Sequence, residues 1–271
     1  MERGNEKQHR AVARWIEKLS TEERANLAKE RIRTVAEQVY GLLQVHESNR
    51  ILLYTSTVSS KIPRSFAANT FNLTKECLFR YQVIRLCALW DNDSGKERAS
   101  LPVVAALIRD RRVRKLIACD RYSSRTAIKP RLLNPDPDPD LLNAQFRMNE
   151  RIQERRGRTD ARKALRGLRR CIRDIDKVEV SERLRSLRDF RNKHVAHCLQ
   201  ANATEVHSTN TLAYGQEEEL LELTLRLVDQ LALDLVDTNH CWETTKDYAR
   251  RCASELWQNI SFAIPGERMV R

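Results

Sequence analysis

The stretch RDFRNKHVAH, residues 188–197, places arginines and histidines three residues apart on what the periodicity predicts to be one helix. Ser181 is the predicted N-cap of this helix. Its apolar residues share one arc: Leu184, Leu187, Val195 and Cys198. Arg191 and His194 fall inside that arc. Because arginine is seldom buried without a partner, Arg191 must face an acid, a cluster of carbonyl groups, a subunit interface or a pocket that receives an anion.

The pair Arg191 and His197 has the chemistry needed to cleave RNA without a metal. A base must take the proton of the ribose 2′-hydroxyl, and histidine is the side chain suited to that near neutral pH. Arginine supplies a planar, permanently protonated fork for the charge on the phosphorus centre. Asn192 could orient either group through a hydrogen bond. The other interpretation is structural: Arg191 joins an interhelical ion pair, and His197 ends the helix where imidazolium is favoured.

Composition favours an all-α fold. The 271 residues include only 7 glycines and 7 prolines, too few for a many-turned β fold. No run of about 18 apolar residues could span a membrane, and no apolar segment follows the N-terminal MERGNEKQHR. The 7 cysteines form no C-x-x-C pair, which indicates reduced thiols rather than a metal site or a disulfide framework. We therefore expect a cytoplasmic protein without a membrane partner, a metal or a cofactor.

The formal charge of +12 calls for an acidic partner. Nucleic acid is favoured over membrane because no basic amphipathic segment carries an aromatic insertion face. Residues 147–191 hold 16 basic against 8 acidic side chains, so the basicity is local. A long helix is predicted over residues 141–178, with a break allowed at Gly157. Eight of its arginines share an arc about 100° wide, the arginine ridge: Arg147, Arg151, Arg155, Arg158, Arg162, Arg166, Arg169 and Arg173.

The arginine ridge would extend about 39 Å, enough to follow several phosphates. Its predicted RNA contacts are Arg155, Arg162 and Arg166. The opposite side of the helix is apolar and should face the core: Ala164, Leu168, Cys171, Ile172 and Ile175. The alternative is a solvated face with ion pairs such as Glu154 with Arg158.

Two segments in the first third of the chain allow more than one interpretation. ILLYTSTVSSKIP, residues 51–63, is predicted either as a strand or as the end of the helix that Ser20 and Glu23 open with a capping box. His46 and Glu47, in that helix, are predicted as a polar cap at its end. FNLTKECLFRYQVIRLCALW, residues 71–90, indicates a central buried helix.

DNDSG, residues 91–95, ends that helix. Asp91 and Asp93 could meet Arg191 or a metal there, although such residues ordinarily only stop a helix.

Two parts are predicted for the chain as a whole. Residues 1–62 should form N-terminal helices packed on a bundle, and residues 63–271 the main helical domain. Within the latter, NPDPDPD at 134–140 is a stiff extended linker whose Asp140 can cap the next helix, and residues 201–216 are a polar loop. The last two helices carry apolar stripes and should add core or oligomer surface.

The arrangement R-N-K-H-V-A-H, near the end of a helix in a basic helical protein, resembles the R-x(4–6)-H signature of the HEPN superfamily, here with five intervening residues. LRDFRNKHVAH together with the upstream IRLCALWDND and SLPVVAALIRD is similar to the AbiU-type HEPN proteins of bacterial abortive-infection systems, over roughly residues 70–200. The resemblance implies a HEPN-like helical bundle with additional N- and C-terminal helices.

In that family the bundle dimerises so that two copies of the motif line one cleft, and many members are metal-independent endoribonucleases. The resemblance gives His197 the role of base, Arg191 that of phosphate stabilisation and Asn192 an orienting role. Arg188 and His194 become substrate or interface contacts. The expected products carry 2′,3′-cyclic phosphate and 5′-hydroxyl ends, and the apolar arc around Arg191 would be the dimer face.

The resemblance also implies partners: RNA, a second copy of the chain, and an antitoxin or other regulator of a toxin. HEPN toxins paired with a nucleotidyltransferase commonly carry a tyrosine two residues after the histidine, where this chain has Leu199. Control by modification at that position is therefore not expected. Some HEPN proteins bind nucleotides or proteins without catalysis. The alternative function is thus a non-catalytic helical protein that binds nucleic acid or a partner through residues 147–173.

Overall fold

Helices make up almost all of the chain that the structure describes. The computed structural model describes residues 12–91, 99–127, 139–193 and 215–264, and none of these ranges contains a strand. The all-α prediction is confirmed. After a short helix at 12–17, the helices are α1 (Thr21–Tyr54), α2 (Phe66–Ala88), α3 (Leu101–Leu107), α4 (Arg111–Thr126), α5 (Pro139–Glu179), α6 (Glu182–Arg191), α7 (Gln216–Val236) and α8 (Trp242–Asn259).

Two predicted helix starts are confirmed. Ser20 and Glu23 form the reciprocal capping box: Ser20 N donates to Glu23 Oε2 at 2.7 Å, and Glu23 N donates to Ser20 Oγ at 3.1 Å. Ser181 caps α6, because its Oγ accepts a hydrogen bond from Leu184 N at 3.3 Å. The cap fixes where α6 begins and hence which side of it carries Arg191.

The structure decides between the two alternatives for residues 51–63 and moves the start of α5. The strand over residues 51–63 is wrong: α1 continues to Tyr54 and a 3₁₀ turn follows at Ser59–Lys61. α5 begins at Pro139, inside the predicted linker, because proline suits the first turn of a helix. It is also unbroken at Gly157, where a Cβ would lie 3.0 Å from the ring of Tyr122. This glycine lets α4 approach closely.

α2 is not the central buried helix that its composition indicated. Within the helix only Gln82, Val83, Leu86 and Cys87 are buried. The first part of α2 leaves an apolar stripe exposed, the α2 stripe: Phe66, Leu73, Cys77 and Tyr81. These positions recur at helical spacing, as the pattern predicted, but no described residue covers them.

The chain divides into two compact units, each made of several segments. Unit 1 comprises Met1–Arg33, Asn92–Asp176 and Leu227–Asn239. Its buried apolar residues come from the start of α1, from α3, α4 and α5, and from the end of α7. The predicted inner face of α5 is confirmed, because all five of its apolar residues are buried: Ala164, Leu168, Cys171, Ile172 and Ile175.

Unit 2 comprises Thr34–Asp91, Lys177–Arg226 and His240–Arg271. Its core draws on the end of α1, the end of α2, α6, the start of α7 and α8. α2 and α6 pack on each other, with the rings of Phe79 and Phe190 edge to face and their centroids 5.7 Å apart. This packing brings the end of α2 to the end of α6.

Candidate functional site

The end of α2 is fixed by the fully buried Trp90. Its indole Nε1 donates to Thr224 Oγ1 of α7 at 3.0 Å, and its carbonyl oxygen accepts from Arg188 Nη2 of α6 at 2.5 Å. A helix-terminal carbonyl lacks an intrahelical partner, and the arginine supplies one with a charge. The next residue, Asp91, is therefore held in place from two sides.

Arg191 forms an ion pair with Asp91. Its Nη1 donates to both carboxylate oxygens, at 2.9 and 2.7 Å, and its Nε donates to Asn192 Oδ1 at 3.2 Å. The two side chains of the pair are only 23% and 20% exposed. Nη2 makes no hydrogen bond to any described residue, so the guanidinium is anchored on two nitrogens and retains a third that can donate.

This pair answers the question of what Arg191 faces. Of the partners that the sequence allowed, an acid is the one observed, and Asp91 does more than stop a helix. Asp93, His194 and His197 lie outside the described residues. The roles predicted for Arg191 and Asn192 therefore stay predictions, although the structure brings the two side chains together. Arg188, a predicted substrate contact, uses one of its nitrogens to hold Trp90.

Cys87, one turn before Asp91, is a buried neutral thiol. Burial raises the pKa of Cys87 to about 12; the neighbouring Arg191 acts to lower the pKa and Asp91 to raise it. Because the thiolate is the nucleophilic form, Cys87 is unreactive and serves as buried packing near the ion pair. The six cysteines in the described ranges are all free thiols.

The apolar arc of α6 does not form an exposed face. Leu184 and Leu187 are completely buried within the chain, and Val195 and Cys198 lie outside the described ranges. The prediction that this arc is the dimer face is wrong for its described residues, because unit 2 already covers them. Exposed apolar surface near the site belongs instead to the α2 stripe.

The arginine ridge is exposed along its whole length. Glu154 and Arg158 form the expected ion pair at 2.5 Å, and Arg166 Nε donates to the carbonyl of Arg162 at 3.4 Å. The other seven members make no ion pair with a described residue: Arg147, Arg151, Arg155, Arg162, Arg166, Arg169 and Arg173. The face is therefore mostly uncompensated positive charge, although RNA binding by Arg155, Arg162 and Arg166 stays a prediction.

His46 and Glu47 are core residues rather than a cap at a helix end, because α1 continues beyond them to Tyr54. His46 Nδ1 and Gln82 Nε2 are 3.0 Å apart, and Gln82 Oε1 accepts from Asn49 Nδ2 at 2.6 Å. Burial lowers the pKa of His46, against the opposing effect of Glu47. His46 thus has a structural role, as predicted, but it lies in the core and not at the end of a helix.

The part of the chain that the structure describes contains neither a candidate metal site nor a candidate membrane-spanning helix. No group of three or more histidine, cysteine or acidic side chains there could hold a metal. No described helix is long and apolar enough to cross a membrane.

A family comparison matches most of the chain. The model of the family HEPN_AbiU2, described as AbiU2, matches residues 21–256. The chain belongs to this family of HEPN proteins, which are associated with abortive infection. The resemblance drawn from the motif is confirmed, and the match extends it to α1, to α7 and to most of α8. No curated protein and no solved structure matches the chain.

Proposed function

We propose that this protein is a metal-independent endoribonuclease of a toxin or anti-phage abortive-infection system, acting in the cytoplasm with Arg191, Asn192 and His197 as its catalytic residues. The observation that carries the proposal is how the guanidinium of Arg191 is held. Asp91 and Asn192 hold its guanidinium in one orientation, while Nη2 donates to no described residue and can meet a phosphate oxygen. Family membership supplies the kind of chemistry.

The proposed reaction is transesterification within the RNA. His197 takes the proton of a ribose 2′-hydroxyl, and the 2′-oxygen attacks the adjacent phosphorus. Arg191 Nη2 donates to a phosphate oxygen as negative charge accumulates there. The bond to the 5′-oxygen breaks, and that oxygen takes up a proton. The products are a 2′,3′-cyclic phosphate and a 5′-hydroxyl, with no net change in oxidation or in atoms.

A homodimer is part of the proposal, with two copies of the motif lining one cleft. The α2 stripe supports it, because Phe66, Leu73 and Tyr81 are large apolar side chains left exposed on the helix that leads to Asp91. A two-fold interface places the same patch of both subunits in contact. Arg188 and His194 would then contact the substrate or the second subunit, and an antitoxin or other regulator would restrain the dimer.

The decisive experiment is RNA cleavage by the full chain in the presence of EDTA. We expect wild-type protein to cut total RNA and His197→Ala to abolish cutting while circular dichroism and RNA binding stay unchanged. His207→Ala is the matched control. It replaces a histidine within the predicted polar loop, and this variant should cut RNA normally. Mass analysis of the 3′ ends should find cyclic phosphate. Continued cutting by His197→Ala, or none by the wild type, would remove the catalytic proposal.

The alternative is a non-catalytic protein that binds nucleic acid or a partner through residues 147–173. Two observations favour it: Arg191 is engaged in an ion pair, and the arginine ridge is exposed. The same assay separates the functions, because only the alternative predicts RNA that is bound and left intact.

A further inference from the structure

The first turns of α5 combine arginines with apolar side chains. Attraction of an anion by charge alone would not require the apolar ones. A groove of about 560 Å³ runs along the helix, lined by six of its residues: Ala144, Arg147, Met148, Arg151, Ile152 and Arg155. Their spacing places all six on one side of the helix. Apolar and arginine side chains therefore share this open groove.

The apolar side chains of the groove are incompletely covered in the described structure, with Ala144 exposed and Ile152 half-buried. Met148 is 64% exposed, and Leu141, one turn earlier on the same side, is 61% exposed. Further along α5, the side chains that face the core are buried, as Ala164 and Leu168 are. Exposed methionine and leucine beside arginines that pair with no described acid mark a binding surface, because proteins in water seldom leave such a patch without use.

The charge beside the groove calls for an extended anion. The arginine ridge continues from Arg155 to Arg173, and the one apolar residue on its arc over that stretch, Leu165, is half-buried. At its far end, burial and the nearby Arg169 lower the pKa of Arg114 on α4. Positive charge is therefore concentrated along this side of unit 1 and matches a chain of phosphates.

The apolar part decides between kinds of anion. In a duplex the base faces are stacked and hidden, so apolar contacts gain little, whereas a single strand can lay its bases against side chains. An acidic partner helix would need apolar positions along its whole contact, whereas between Ile152 and Arg173 the ridge arc carries arginines and a single apolar residue, the half-buried Leu165.

We propose that this groove is a single-stranded RNA site, in which nucleobases lie against Met148 and Ile152 while Arg147, Arg151 and Arg155 contact the phosphates. The proposal takes RNA as the ligand from the proposed function and otherwise depends on unit 1 alone. The strand would continue along the ridge toward Arg162 and Arg166.

The test is a fluorescence anisotropy titration of the full chain carrying His197→Ala, so that RNA stays intact. The probe is a labelled single-stranded oligoadenylate, long enough to span α5, compared with an RNA duplex of equal length. Arg151→Gln with Arg155→Gln should lower the slope of log K against log salt by about 1.4, since each phosphate contact contributes about 0.7. Met148→Ala with Ile152→Ala should weaken binding about fivefold and leave that slope unchanged.

The matched control is Arg156→Gln with Lys163→Gln, which removes the same charge from exposed positions outside the ridge arc. This control should change the affinity and the salt slope less than Arg151→Gln with Arg155→Gln does. If the two double substitutions had equal effects, binding would depend only on the overall charge and not on the groove, which would overturn the proposal. Equal affinity for the duplex, no effect of the Met148 and Ile152 substitutions, or equally strong binding of polyglutamate would also overturn it. Since the readout is binding, absence of cleavage in the wild type would leave this result unaffected.

Discussion

The carboxylate of Asp234 occupies the space that a side chain at Gly167 would need. A Cβ at position 167 would lie 1.9 Å from Asp234 Oδ2, well inside the contact distance of two atoms. The two residues belong to α7 and α5 of unit 1, and Asp234 is only 4% exposed. Close packing of these helices therefore depends on a glycine and an acid that pack on each other.

Gly167→Ala should destabilise the protein by about 1–3 kcal/mol, because the methyl group must displace a buried carboxylate. Urea unfolding measures the change in the free energy of unfolding. Gly41→Ala is the control: it lies inside α1 with nothing within 4 Å of the new Cβ, and should stabilise by about 0.5–1 kcal/mol. In a double-mutant cycle, Asp234→Ala should remove most of the penalty at position 167. Additive effects would mean that the two positions do not interact.

Asp234→Asn should stabilise the protein at neutral and higher pH. Burial raises the pKa of Asp234 from 3.8 to about 6, although the hydrogen bond from Gln230 acts to lower the pKa. The folded state therefore holds this proton more tightly than the unfolded state, and wild-type stability falls as pH rises from about 4 to 6. The difference amounts to about 3 kcal/mol at most. Unfolding of both proteins at about pH 4 and pH 8 measures it; equal differences at both pH values would contradict the prediction.

His46→Gln should remove a pH dependence of the opposite sign. Burial lowers the pKa of His46 below its ordinary value of 6.5, so the unfolded state binds the proton more readily. Wild-type stability should therefore fall as pH decreases below 6.5, while the glutamine variant can keep a hydrogen bond to Gln82 without taking up a proton. Comparing the two proteins across that range isolates the effect. A wild type that loses no more stability than the variant on acidification would rule it out.

Asp91→Asn should cost about 2 kcal/mol of stability, because it leaves the half-buried guanidinium of Arg191 without its carboxylate. If the proposed function is right, cleavage at saturating RNA should also slow, since Arg191 would no longer be held for the phosphate. Arg191→Lys in the same background should add little, because the pair is already broken. Unchanged stability in Asp91→Asn would show that the pair is not maintained in solution.

Leu73→Asp should convert the proposed homodimer to a monomer and abolish cleavage together with dimerisation. Leu73 is 60% exposed on the α2 stripe, so the substitution should leave the fold of the single chain intact. Light scattering coupled to size exclusion measures the mass. Leu256→Asp, at a comparably exposed leucine of α8, is the control and should stay dimeric. A dimer that survives the change at Leu73 must use another surface.

Local patterns predicted what depends on neighbours along one helix. The capping box at Ser20, the cap at Ser181 and the two sides of α5 follow from helical spacing, which ties each side chain to those three or four residues away. The same spacing found the apolar stripe of α2 but could not show that it stays exposed. Periodicity tells which residues share a face and not which element, if any, packs against it.

The pair of Asp91 and Arg191 illustrates the other limit. The two residues are 100 positions apart, and Asp91 stands in a segment that any helix end could contain. Only the packing of α2 on α6 brings them together. An arginine on the apolar side of its helix was a usable signal that an acid had to be near, but the sequence offered several acids for the role.

The way Trp90 is fixed in the core affects how inactive variants should be interpreted. Its indole and its carbonyl are both bonded within the core of unit 2, and Asp91 is the next residue. Substitutions at Thr224 or Trp90 would displace the Asp91 carboxylate without changing any of the proposed catalytic residues. If the proposed function is right, a variant that has lost RNA cleavage can therefore carry an intact R-x5-H motif, and its defect should be sought in the hydrophobic interior of unit 2.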